Sequence, residues 1–183
     1  MPRLGPGLAA TLLAAILWGT SFPANQVGLA YLEPGLFVAA RFALAALIVL
    51  PLFWRELKSS LTGFAPWLLG AVNALAFYLQ YVGQTTAPAG AAGLLVNANV
   101  VLVALVAWAW IGEKPTNRVT LAMVLALAGA SLIIYEPGQA GLQMGHALVF
   151  LAGATWSFYM VGSRAARLKG HTATGLALAT FVT

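Results

Sequence analysis

Apolar residues run through this chain in six long blocks, separated by short polar gaps. The blocks fall at about Gly7–Gly28, Pro34–Trp54, Phe64–Gln84, Pro88–Ile111, Val119–Tyr135 and Leu142–Gly162. A hydrocarbon core roughly 30 Å thick needs about 20 apolar residues of helix to cross it. Backbone amides in hydrocarbon must be satisfied within their own segment, so helix is the expected spanning form. Barrel strands alternate apolar and polar positions over about 10 residues, and these blocks do not. The pattern therefore predicts an all-α integral membrane protein, a polytopic bundle of six full transmembrane helices. A seventh apolar run starts near Thr172 and reaches Thr183. At about 12 residues, or roughly 18 Å of helix, it is too short to cross. It reads as a partial seventh helix of a truncated chain, with a short re-entrant tail as the alternative.

Charge adds an orientation. Only 7% of the residues are charged, against 61% hydrophobic, where a soluble domain averages about 25% charged. The net charge is +5, but the cations sit between spans and form no basic surface, so lipid rather than nucleic acid is the expected partner. Arg3, Arg55, Lys58, Lys114, Arg118, Arg164, Arg167 and Lys169 fall on alternate loops, and the intervening loops carry Glu33 and Glu136 without Lys or Arg. By the positive-inside rule this places the N-terminus in the cytoplasm of a multi-pass protein of the plasma (cell inner) membrane, and it opposes a dual-topology arrangement. The first block lacks the short h-region and cleavage site of a signal peptide. Cysteine is absent, which removes disulfides, thiol nucleophiles and Cys metal sites.

There is an internal echo. Leu8–Val27 and His146–Ala165 align Trp18 with Trp156 and Ala14 with Ala152. Five spans separate the two starts, so the second copy enters from the opposite side, as in the inverted repeats of many secondary transporters. Further segments carry a family resemblance: Trp18-Gly19-Thr20-Ser21-Phe22, Ala40-Arg41-Phe42 with the Ala/Leu-rich run to Pro51, Gln84-Thr85-Thr86-Ala87 through Leu95, and Ala107-Trp108-Ala109-Trp110-Ile111-Gly112-Glu113-Lys114. Together with Leu127–Ile134 they resemble the drug/metabolite transporter superfamily in its ten-helix EamA-type branch. The resemblance covers one five-helix repeat, residues 8–136, and the beginning of a second, residues 143–183. It implies an inverted 5+5 repeat around a central cavity, export or exchange of small metabolites, and either a missing C-terminal half or a homodimer. The family often has proline shortly after the Asn97-Ala98-Asn99 position. Val100 stands there, so no proline kink is expected in the fourth span.

Polar groups at membrane depth are costly and often functional. Arg41 lies about two turns into the second span. It reads as a fixed positive charge for an anionic or zwitterionic solute, as a structural cation bonded to helix carbonyls, or as one snorkelling outward. Pro23 removes a donor to the Gly19 carbonyl and is expected to bend the first span, making Gly19 and Pro23 a candidate hinge with Trp18, Thr20, Ser21 and Asn25 around it. A packing kink is the alternative. Asn73, Gln80 and Gln84, at spacings of seven and four, share one helical face, which suits cavity lining or interhelical bonding. Tyr78 and Tyr81 are expected in the aromatic belt. Asn97 is a cavity candidate, and by helical spacing it and Asn99 do not share a face. Trp156 is a cavity candidate by pseudo-symmetry with Trp18. Small residues at Ala39, Ala43 and Leu47 in the second span, and at Ala122, Ala126 and Ala130 in the fifth, are expected to pack helices closely.

All four acidic residues, Glu33, Glu56, Glu113 and Glu136, fall at span ends, so no membrane-embedded carboxylate is expected to carry protons in this part of the protein. Catalysis has little material: Asp is absent, and His146 and His171 are distant from each other and from any obvious nucleophile. No enzyme activity, cofactor or metal is expected. The leading expectation is a secondary transporter of small metabolites such as amino acids or drug-like compounds, working by alternating access, with this stretch alone not completing a path. A non-transporting membrane subunit or scaffold is the rival.

Overall fold

The computed structural model describes residues 5–61, 63–134 and 143–182, and within them every regular element is helical. Arg3, Tyr135, Glu136, Leu142 and Thr183 lie outside the described residues, as do the side chains of Lys58 and Ala130. The elements are α1 (Pro6–Leu29), α2 (Pro34–Ser60), α3 (Ala65–Gln84), α4 (Ala89–Asn97), α5 (Asn99–Ile111), α6 (Asn117–Ile134), α7 (Met144–Leu168) and α8 (Ala173–Ala179). By length and composition, four described helical stretches can cross a membrane: Gly7–Leu29, Pro34–Glu56, Ala89–Ile111 and Met144–Leu168. At 20 residues α3 reaches about 30 Å. Six of its positions are Asn, Gln, Tyr or Trp, which dilutes its apolar character. The seven-residue α8 is too short to cross.

The fourth apolar block departs from expectation. A helix break at Ala98 divides it into α4 and α5 without any proline. The Asn97 side chain donates to the Gly93 carbonyl at 2.6 Å, the acceptor its own backbone N–H uses in an α-helix. This local side-chain competition is a known way to disturb a helix. The Ala98 N–H is shared between the Leu94 and Leu95 carbonyls, and Val101 N–H turns to the Ala98 carbonyl, so the chain tightens for one turn before resuming. Further along, α5 ends on Gly112 at φ +74°, where the cap N–H returns to the Ala107 carbonyl. Only glycine adopts this left-handed geometry without strain. Gly112→Ala is expected to cost about 1 kcal/mol, read as a lower unfolding midpoint in detergent, with no change in helix content.

Packing centres on α7, which lies along α3, α4 and α5. Its contact with α3 is made through glycines. A Cβ at Gly83 would stand 2.7 Å from the Gly145 carbonyl oxygen, and one at Gly145 would stand 2.6 Å from the Gly83 carbonyl oxygen. Backbones approach this closely only where side chains are missing. Gly153 similarly faces the Val96 carbonyl, 3.1 Å from a Cβ built there. The core beside this seam contains Phe22, Ala76, Ala87, Ala92, Leu95, Val96, Val149 and Trp156. His146 is accounted for as a cap: its Nδ1 accepts the Gln143 backbone N–H at 3.2 Å at the start of α7.

The small-residue row of α2 does not pack against another helix among the described residues, and in the α6 row Ala126 is half-buried. Ala39, Ala43 and Leu47 on α2 and Ala122 on α6 are exposed. On α2 they share the outside with Leu44, Ile48 and Leu52, all more than half exposed. In lipid such a surface carries no desolvation penalty, so a ridge of alanines and leucines does not by itself say which side meets protein.

Candidate functional site

Three helices bring polar side chains together around Arg41. Its Nη1 donates to Asn25 Oδ1 of α1 at 3.1 Å and, in a short contact, to Tyr81 Oη of α3. Asn25 Nδ2 reaches Gln84 Oε1 at 3.5 Å, and Gln80 Nε2 donates to the same oxygen at 2.8 Å. Gln84 Nε2 then donates to the Phe22 carbonyl at 3.3 Å. Asn25, Gln80, Tyr81 and Gln84 are all buried. At membrane depth each would be costly without a partner. The network satisfies them and ties α1, α2 and α3 to one another.

Aromatic rings flank the cation, whose own side chain is exposed. The Arg41 guanidinium carbon lies 5.7 Å from the Phe77 ring centre and 6.0 Å from that of Tyr81, within cation–π range. Phe77 meets Trp156 edge to face at 4.8 Å, and Trp156 meets Trp18 at 5.4 Å. Trp156 is buried and donates from Nε1 to Asn73 Oδ1 at 3.0 Å. The two tryptophans paired by the sequence echo therefore touch.

Two small cavities open on Arg41. One, of about 320 Å³, is lined by Ala14, Leu17, Trp18, Ser21, Asn25, Arg41, Phe77 and Gln80. The other, of about 280 Å³, is lined by Arg41, Phe42, Ala45, Asn73, Phe77, Thr180 and Phe181. Arg41 and Phe77 belong to both. No carboxylate lines either cavity among the described residues. A third and larger cavity, about 800 Å³, runs from Trp18 and Gly19 past Asn97 and Asn99 to Glu113 and Lys114 at the α5–α6 loop. Trp18 and Ala14 line this one and the 320 Å³ cavity alike, so they stand between the two. At the loop end, Glu113 pairs with Arg164 of α7.

The sequence candidates divide accordingly. Trp18, Ser21, Asn25, Arg41, Asn73 and Gln80 line the Arg41 cavities, Gln84 and Trp156 support them from behind, and Gly19 and Asn97 face the larger space. Thr20 lies outside both Arg41 cavities: it is exposed and its hydroxyl bonds the Ile16 and Leu17 carbonyls of its own helix. Pro23 is exposed, and α1 continues as one helix through it. Ser21 Oγ donates to the Trp18 carbonyl at 2.6 Å rather than to the Gly19 carbonyl that Pro23 frees.

One expectation is corrected. Tyr81 is not an interfacial belt residue but is fully buried against Arg41, whereas Tyr78 is 47% exposed. The signal was present: Asn73, Phe77, Gln80, Tyr81 and Gln84 are spaced four, seven, eight and eleven from the first, one continuous helical face. Asn97 and Asn99 both border the larger cavity, Asn97 with an exposed side chain and Asn99 with a buried one.

A profile of the EamA-like transporter family matches residues 5–135. An uncharacterised transporter of Bacillus subtilis, YvbV, is 32% identical over 139 residues, covering 73% of this chain and 46% of that protein. An uncharacterised transporter of Archaeoglobus fulgidus is 28% identical over 139 residues, covering 75% of this chain and 42% of that protein. The chain thus spans less than half of the length of either relative. No solved structure matches it. On the family match and the apolar helices together, this multi-pass membrane chain belongs to the EamA-like transporter family.

Proposed function

We propose that the protein is a secondary transporter that exports or exchanges small metabolites, amino acids or drug-like compounds among them, by alternating access. Residues 8–136 form the first of two inverted five-helix repeats and residues 143–183 open the second, in a cell inner membrane with the N-terminus cytoplasmic. The observation that carries this reading is Arg41. A permanent cation sits within a membrane-length helix, faces two cavities, and is held by neutral groups from two other helices. Cations placed so deep usually serve a pathway. Gly19 and Pro23 supply the place where α1 can flex, and Trp18 supplies the barrier between the Arg41 cavity and the larger space beside it.

The test is uptake and efflux profiling of cells expressing the gene, across a metabolite panel. At least one solute is expected to move in an expression-dependent way, with its flux lowered about tenfold or more by Arg41→Gln, the scale of losing a charge-assisted contact. No expression-dependent flux of any solute, together with stoichiometric co-purification of another membrane protein, would instead establish a scaffold. Labelling Lys114 and Glu136 from a single aqueous side would overturn the assigned topology.

A further inference from the structure

The chemistry around Arg41 narrows the solute class, on the transport reading above. We infer that the two Arg41 cavities take a monoanionic carboxylate carried on a flat apolar body, and select it over the corresponding zwitterion and neutral amide.

Three observations carry this. First, Arg41 is already held by an amide oxygen, a phenol and two ring faces, all neutral. Its charge is positioned but not neutralised, and its guanidinium has five donors. One nitrogen, Nη1, makes both described side-chain bonds, so the fork retains donors for a bidentate carboxylate. Second, the walls beside it are ring surfaces. Trp18 and Phe77 line one cavity, and Phe42, Phe77 and Phe181 line the other. At about 320 and 280 Å³ the spaces lie at the bottom of the usual ligand range of about 300–1,000 Å³, which fits a body of about one ring. Third, the polar groups left for a second solute function are Ser21, Asn25, Asn73, Gln80 and Thr180, all uncharged. An α-ammonium would enter beside a fixed guanidinium with no acid among the described lining residues to offset it, and in a low-dielectric setting that repulsion is strong.

The experiment is calorimetric binding to the chain in lipid nanodiscs, using phenylacetate, phenylacetamide, phenylalanine and acetate as probes. Phenylacetate is expected to bind tightest. Phenylacetamide, which keeps the ring and loses the charge, is expected about tenfold or more weaker. Phenylalanine and acetate are each expected to bind about tenfold weaker, for the added ammonium and the missing ring respectively. Arg41→Gln is expected to erase the difference between phenylacetate and phenylacetamide, and Arg41→Lys to keep part of it. Equal affinity for phenylacetate and phenylacetamide, or for phenylacetate and phenylalanine, would overturn the inference. So would a folded Arg41→Gln protein that retains the preference. Should neither variant fold, the wild-type comparison decides alone. Failure here separates cleanly from failure of the transport reading. Absent phenylacetate binding, with expression-dependent flux of other solutes, removes only the solute class. The expected binding order without flux of any solute removes only transport.

Discussion

Gly145→Ala is expected to destabilise the fold by about 1–3 kcal/mol, the cost of overfilling a close-packed interior. The added carbon would stand 2.6 Å from the Gly83 carbonyl oxygen and 3.0 Å from the Ala87 amide nitrogen. Both are backbone atoms and cannot rotate aside. Relief requires α7 to move off α3. The reciprocal change, Gly83→Ala, meets the Gly145 oxygen at 2.7 Å and the Val149 nitrogen at 3.0 Å, so it should behave alike. Gly129→Ala is the control, because a Cβ there meets nothing within 4 Å. That change should be neutral or raise stability by about 0.5–1 kcal/mol through better helix propensity. Thermal unfolding of the three variants in detergent measures the difference. Equal midpoints for Gly145→Ala and Gly129→Ala would show that the α3–α7 seam is looser than the structure has it.

Trp156→Ala is expected to cost about 3–5 kcal/mol and to abolish solute binding at Arg41. Trp156 is 2% exposed and packs against both Trp18 and Phe77, the rings that wall the 320 Å³ cavity. Removing it leaves a void behind them and strips the buried Asn73 Oδ1 of its donor. Trp156→Phe separates the two contributions. It keeps most of the ring contact and loses only the N–H, so about 1–3 kcal/mol of desolvation cost at Asn73 should remain. Adding Asn73→Leu to Trp156→Phe should then restore part of that loss, since both polar partners are gone. If Trp156→Phe unfolds at the same temperature as the parent, the Asn73 bond contributes nothing measurable.

Much of this was legible along the chain. The helical blocks follow from the length of apolar runs, because hydrocarbon leaves the backbone no other partner. The polar face of α3 follows from spacing alone: Asn73, Gln80 and Gln84 are all buried. Arg41 stood out because a cation is rare at that depth. Tyr81 was misread because position near a span end suggests a membrane interface, and only its partner Arg41, forty residues away, reveals otherwise. Asn97 and Asn99, two apart on a helix, differ in burial as that spacing predicts: Asn97 is exposed and Asn99 is buried. The alanine rows illustrate the opposite failure. Small residues permit close approach, but nothing along α2 says whether lipid or protein lies opposite.

What the sequence alone determined is therefore one-dimensional: which stretches are greasy enough to span, which faces of them are polar, and which family the string of motifs belongs to. These are properties of hydrophobicity and helical period, and both act within a segment. The tertiary structure decided the rest. It set Trp18 against Trp156, closed Arg41 onto Asn25 and Tyr81, and chose Gly83 and Gly145 as the point where two backbones meet. In lipid, helices associate through shape and a few hydrogen bonds rather than through hydrophobic burial, so their neighbours depend on three-dimensional fit that no pattern along one helix records.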